Sequence, residues 1–184
     1  MLIPWPDDEV VAVPSAAGVG REVAAWLVDP GVPRRFFGAE YRVLAEAVVL
    51  SGAHAGLVAF ASCGEEGRLC VERPTGRVVL VPRVGAEGFG VVNGSVRAFV
   101  DSVAFVVGRF PYYSGDGDFA ELLDSEEFER VAEELRFGLL DVDETALDDP
   151  DGVWAAFLED VGMGVHLTEV FAPPPGGRRE THRG

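Results

Sequence analysis

Side chains able to act as nucleophiles, general bases or metal ligands are few in this chain and carry no local signature. There are three histidines, His54, His166 and His182, and two cysteines, Cys63 and Cys70. A hydrolytic relay needs a serine or cysteine on a strained turn, and the G-x-S-x-G elbow is absent from the sequence. The stretch 63-CGEEGR-68 superficially suggests a cysteine phosphatase loop. Its spacing is one residue short of that pattern, and Glu65 and Glu66 would repel the dianion such a loop must hold. Gly18-x-Gly20 suggests the start of a dinucleotide fingerprint, but Val23 stands where the third glycine should allow close helix–strand packing. In 147-LDDPDGVWAAFL-158 a glycine takes the sixth place of a calcium loop, while Leu147 and Leu158 replace its first and last ligands. Two thiols with one nearby imidazole do not make a four-ligand zinc site. No catalytic residue, metal site or cofactor is assigned, and an enzyme is not expected.

The elements that would position any site read as α+β. Apolar residues in 9-EVVAVPSAAGVGREVAAWLV-28 end at Pro14, and Ser15 is placed to start a helix with Val19, Val23, Trp26 and Leu27 on its apolar face. Strands are expected near 41–44 and 56–62, then over 68–73 and 77–82, with glycine- and proline-bearing turns between them. These form an antiparallel meander. The joint 91-VVNGSV-96 follows, holding the only asparagine of the chain, Asn93. Ser95 is a suitable helix N-cap, and Val96, Phe99, Val100, Val103, Val107 and Phe110 make an apolar stripe able to lie on the sheet. Two more helices are expected at 125–140 and 150–162, the second capped by Asp149 with Pro150 in its first position. The organisation is a single domain over 1–171 and a disordered, proline- and arginine-rich tail over 172–184.

The charge limits the partners. Formal net charge is −16, every basic side chain is arginine, and 17 of the 31 acids lie between Asp116 and Asp160. Such a surface repels DNA, RNA and anionic membranes, because neutralising phosphates needs clustered cations. It favours fast, salt-sensitive association with a basic partner, although acidity also serves solubility alone. The first residues, MLIPWPDDEV, have no basic region ahead of an apolar run, so a cytoplasmic chain with reduced thiols is expected.

The meander 56-GLVAFASCGEEGRLCVERPTGRVVLV-81, the joint 92-VNGS-95 and the helix start 96-VRAFV-100 together resemble the SUKH superfamily of bacterial immunity proteins. The likeness is greatest to its fourth subfamily, common in actinomycetes, and 149-DPDGVW-154 also fits that subfamily. Gly94 stands where a second serine is common in the superfamily. The resemblance implies architectural roles: Asn93 for a tight turn, Ser95 for the cap and Phe99 for the core. It brings no catalytic residue. The function it implies is neutralisation of a polymorphic toxin, often a nuclease or deaminase, by direct binding. A regulatory adaptor, as in the eukaryotic cell-wall-signalling members, is the alternative.

A contact patch for the toxin is expected where acids lie beside aromatics: Glu65, Glu66, Tyr112, Tyr113, Asp116 and Asp118. Acids would steer a basic partner and aromatic rings would anchor it. The competing expectation has both tyrosines capping the core.

Overall fold

The computed structural model describes residues 10–15, 17–36, 41–63, 67–82, 88–113 and 125–165. Five antiparallel strands run in chain order: β3 (Tyr41–Val49), β4 (Leu57–Cys63), β5 (Gly67–Glu72), β6 (Val78–Pro82) and β7 (Gly90–Asn93). They are preceded by a small antiparallel pair, β1 (Val10–Val11) and β2 (Val32–Pro33), with helix α1 (Arg21–Trp26) between them. Three helices complete the fold: α2 (Val96–Gly108), α3 (Ser125–Val142) and α4 (Val153–Gly162). The sequence reads correctly as a meander followed by helices, in an α+β arrangement.

Strand side chains alternate between two faces. Val58, Phe60, Leu69, Val71, Val78 and Val92 face the helices and share one buried cluster with Phe99, Leu139 and Trp154. Leu57, Ala59, Cys70, Val79 and Val81 form a second cluster on the other face. Three irregularities break the regular pairing, one of them in β3 between Val43 and Val48. Ala59 pairs with Cys70 and Ala61 with Leu69, leaving Phe60 as an extra residue, so both Phe60 and Ala61 join the helix-side core. On β7, Val79 pairs with Val91 but Val78 with Asn93, so Val92 is the extra residue. That bulge turns Asn93 to the helix side, where its partner Val78 also lies. Strict alternation would have aimed Asn93 at the far face.

Several boundaries depart from the expectations. Ser15 caps nothing: it forms an isolated parallel bridge with Ala47, and the Ala47 N–H donates to the Pro14 carbonyl at 2.7 Å. The chain stays extended there because the sheet edge satisfies its backbone. Helix α1 begins only after Gly20. Gly18 has φ +91, and its carbonyl accepts from the Arg73 guanidinium at 3.0 Å, so this turn anchors to the meander. Asp149 does not cap α4 either. Its carboxylate accepts from the Asp151 N–H at 3.1 Å in a local turn, and Gly152 is the residue at the N-cap. Strand β3 runs to Val49, well beyond the expected end at 44. The tail at 172–184 lies outside the described residues.

Helix α3 is held by one side only. Phe128, Val131, Leu135 and Leu139 recur at three- and four-residue spacings and are buried in the main cluster. The Phe105 ring of α2 lies directly over Gly138, where any Cβ would collide with it. Absence of a side chain at 138 therefore sets how closely α2 and α3 approach. The opposite side of α3 faces solvent.

Candidate functional site

Asn93 is the polar centre of the fold. Its side chain is fully buried, yet every hydrogen-bonding atom is used. Nδ2 donates to Ser102 Oγ of α2 at 3.0 Å and to Asp143 Oδ2, just past α3, at 2.7 Å. Oδ1 accepts from the Trp154 indole N–H of α4 at 3.0 Å. The Asp143 carboxylate also receives the Gly94 N–H at 2.8 Å, and the Thr145 N–H and hydroxyl at 3.1 and 2.9 Å. Burial pushes the Asp143 carboxyl up, but these donors together outweigh it and leave the group below its ordinary carboxylate value. Through one amide the last strand is tied to all three following helices.

This role goes beyond the tight turn that the resemblance implies for Asn93. Asn93 is the last residue of β7, and the bend before α2 falls on Gly94 and Ser95. The side chain matters here for pairing a donor and an acceptor inside the core. Ser102 and Asp143 were not singled out from the sequence, because a serine on an apolar helix stripe and one acid in an acidic run give no signal there. Ser95 sits at the N-cap of α2, its hydroxyl accepting from the Ala98 N–H at 3.0 Å. Phe99 is wholly buried, with the Phe36 ring at 5.2 Å and the Phe60 ring at 6.0 Å. Phe36 also meets Trp154 edge-on at 5.7 Å, so the aromatic core adjoins the Asn93 network.

The expected contact patch is divided. Glu65, Glu66, Asp116 and Asp118 lie outside the described residues. Tyr112 and Tyr113 are described, and both rings are buried, 7% and 8% exposed. Their hydroxyls donate inward, Tyr112 to the Val106 carbonyl at 3.1 Å and Tyr113 to the Val161 carbonyl at 2.6 Å. Burial raises both phenol pKa values, that of Tyr113 to about 12. They are not the exposed anchors the sequence reading required, since pairing their hydroxyls with backbone carbonyls holds them in the core.

An exposed aromatic beside acids does occur, on α3. Phe137 is 65% exposed and Leu140, one turn on, is 39% exposed. Glu133 precedes Phe137 by four residues and Asp141 follows it by four, so both adjoin it on the helix surface. The sequence signal was available: in 133-EELRFGLLD-141, Phe137 falls out of phase with the buried stripe through Leu135 and Leu139. A cleft of about 370 Å³ runs beside this face, lined among others by Tyr112, Tyr113, Arg109, Glu127, Arg130 and Glu134. Its carboxylates and guanidiniums are mixed, and Arg130 is bonded to Glu134 at 2.6 Å.

The two cysteines lie toward opposite faces of the sheet and are free. Burial raises their thiol pKa values, to about 11 for Cys63 and about 12 for Cys70. Among the described residues no three His, Cys, Asp or Glu side chains are grouped to hold a metal ion. No described helix is long and apolar enough to cross a membrane.

Comparison with known families decides the kinship. The model of the SUKH-4 immunity protein family matches residues 9–160, which run from the first strand through most of α4. The chain belongs to the SUKH-4 immunity protein family. No curated protein and no solved structure shows a match. Membership supports an immunity-protein role, implies a cognate toxin as partner, and fits a family whose members generally act without catalysis. The matched segment includes the Asn93 network and the whole of α3.

Proposed function

We propose that this SUKH-4 protein neutralises a nucleic-acid-targeting toxin in the cytoplasm by direct, non-catalytic binding. The observation that carries the proposal is the family match over residues 9–160. The net charge of −16 supports the choice of target class. Domains that cleave or modify nucleic acid present cationic surfaces to phosphates, and a polyanionic inhibitor is drawn to such a surface. Nuclease and deaminase toxins are therefore the partners this charge suits, whereas nucleic acid itself and anionic membranes are not.

Co-expression tests the proposal. Toxin domains of these two classes from the same genome are induced in cells with and without the full chain. Growth restored against one of them, with both proteins recovered intact in a complex, is the expected result. Restored growth with the toxin cleaved or modified would replace sequestration by an enzymatic mechanism. No restored growth, together with capture of several signalling proteins, would favour the adaptor function.

A further inference from the structure

We infer that the outward face of α3, centred on Phe137 and Leu140, is where a cationic protein domain docks. The inference rests on the immunity function proposed above and adds to it the surface used. Phe137 is the most exposed large apolar side chain among the described residues, at 65%. Val28, Val48, Phe89, Met163 and Val165 are also exposed, but none of them lies on α3: they belong to the α1–β2 connection, the edge strand β3, the residues just before β7 and those just past α4. On α3 an aromatic and an aliphatic side chain share one face, three residues apart.

Charge around the pair selects the occupant. Helix α3 holds six acids and two arginines, for a formal net charge of −4. Both arginines are already paired within the helix, Arg130 with Glu134 at 2.6 Å and Arg136 with Glu133 at 3.2 Å. Helical spacing places Glu126, Glu133 and Asp141 on the same face as Phe137 together with Arg130, which is paired with Glu134, and puts Glu134 and Glu129 at its margins. Apolar anchors ringed by carboxylates suit a partner whose lysines or arginines surround an apolar hollow. The anionic face would also repel nucleic acid and acidic proteins. Rigidity favours the same face: the inner side of α3 is fixed in the core, and the Phe105 ring against Gly138 pins its middle. A surface held this way loses little conformational freedom on binding.

A photo-crosslinking residue at position 137, with the exposed Ala53 of the β3–β4 connection as control, tests the assignment. The full-length tagged chain is expressed with nuclease and deaminase toxin domains of the same genome and irradiated. The expected result is a crosslink from position 137, absent from position 53, to one basic toxin domain. In the isolated complex, Phe137→Ser should weaken affinity roughly 10- to 100-fold without lowering the melting temperature. Asp141→Lys should slow association at low salt, with the difference vanishing at high salt. Recovery of a toxin through the tag without a crosslink from 137 would overturn the face and leave the function standing. A crosslink to a second copy would make the face a self-association surface and overturn the proposal. No toxin by tag or by crosslink would overturn both.

Discussion

The indole N–H of Trp154 on α4 donates to the side-chain carbonyl of Asn93 at the end of β7, a buried contact of 3.0 Å between residues 61 apart in the chain. The same Asn93 amide reaches Ser102 and Asp143 with its N–H groups. Removing it leaves an indole donor and a carboxylate short of partners inside the fold. Asn93→Ala should therefore cost roughly 2–4 kcal/mol of stability. Asn93→Asp should be worse, since it sets a second carboxylate against Asp143. Urea denaturation measures both, and a loss below about 0.5 kcal/mol for Asn93→Ala, the size of an ordinary surface change, would contradict the network.

Acid should weaken the same network. In the folded chain Asp143 lies below its ordinary carboxylate value, because hydrogen bonds from Gly94, Asn93 and Thr145 outweigh the effect of burial. A group whose folded pKa is depressed contributes stability above the unfolded value, and that contribution is lost as pH falls through the folded value. Stability measured by denaturant should fall from the ordinary carboxylate range downward. Asp143→Asn should flatten this part of the profile. An unchanged acid limb in the variant would rule out the assignment.

Asp101 should show the opposite sign. Burial raises its carboxyl pKa, and Arg97 offsets this only in part. A raised folded value contributes stability below the unfolded pKa, lost as pH rises through the folded one. Asp101→Asn should consequently stabilise the protein slightly at neutral pH, and not in acid. Thermal melts at two pH values separate the outcomes, and destabilisation at neutral pH would show that Arg97 dominates.

At the start of α2, Ser95→Ala should cost about 1 kcal/mol, because the Ala98 N–H loses its acceptor. Ser95→Asp should restore most of that loss, since aspartate caps equally well. If both variants lose the same amount in denaturant melts, Ser95 acts by something other than capping.

The thiols should be slow to react. Burial holds Cys63 near pKa 11 and Cys70 near 12, so almost no thiolate forms at neutral pH. Alkylation of the native protein should be much slower than alkylation in urea, and a double Cys→Ala variant should still bind its partner. Rapid native alkylation of Cys70 would contradict its buried place on the far sheet face.

How much of this was legible in the sequence varies with the physics involved. The meander was readable because turn residues and β-branched runs are local signals, and Ser95 because a cap acts over three residues. The place of Asn93 was not. Its orientation depends on a bulge at Val92 that no alternation pattern reveals, and its partners come from 9, 50 and 61 residues away. Tyr112 and Tyr113 misled for a related reason. Two aromatics near acids look alike in sequence whether their hydroxyls face water or the carbonyls of Val106 and Val161. Phe137, in contrast, is legible from the sequence, since it falls out of phase with the buried stripe through Leu135 and Leu139.

The central claim, immunity by capture of a basic toxin, is tested most directly by affinity capture of the full chain at low salt from cells that encode it. The partners are then identified by mass spectrometry along a rising salt gradient. One dominant partner with a net positive toxin domain, released as salt rises, is the predicted result. Several signalling or housekeeping proteins in its place, or a partner whose retention ignores salt, would contradict it.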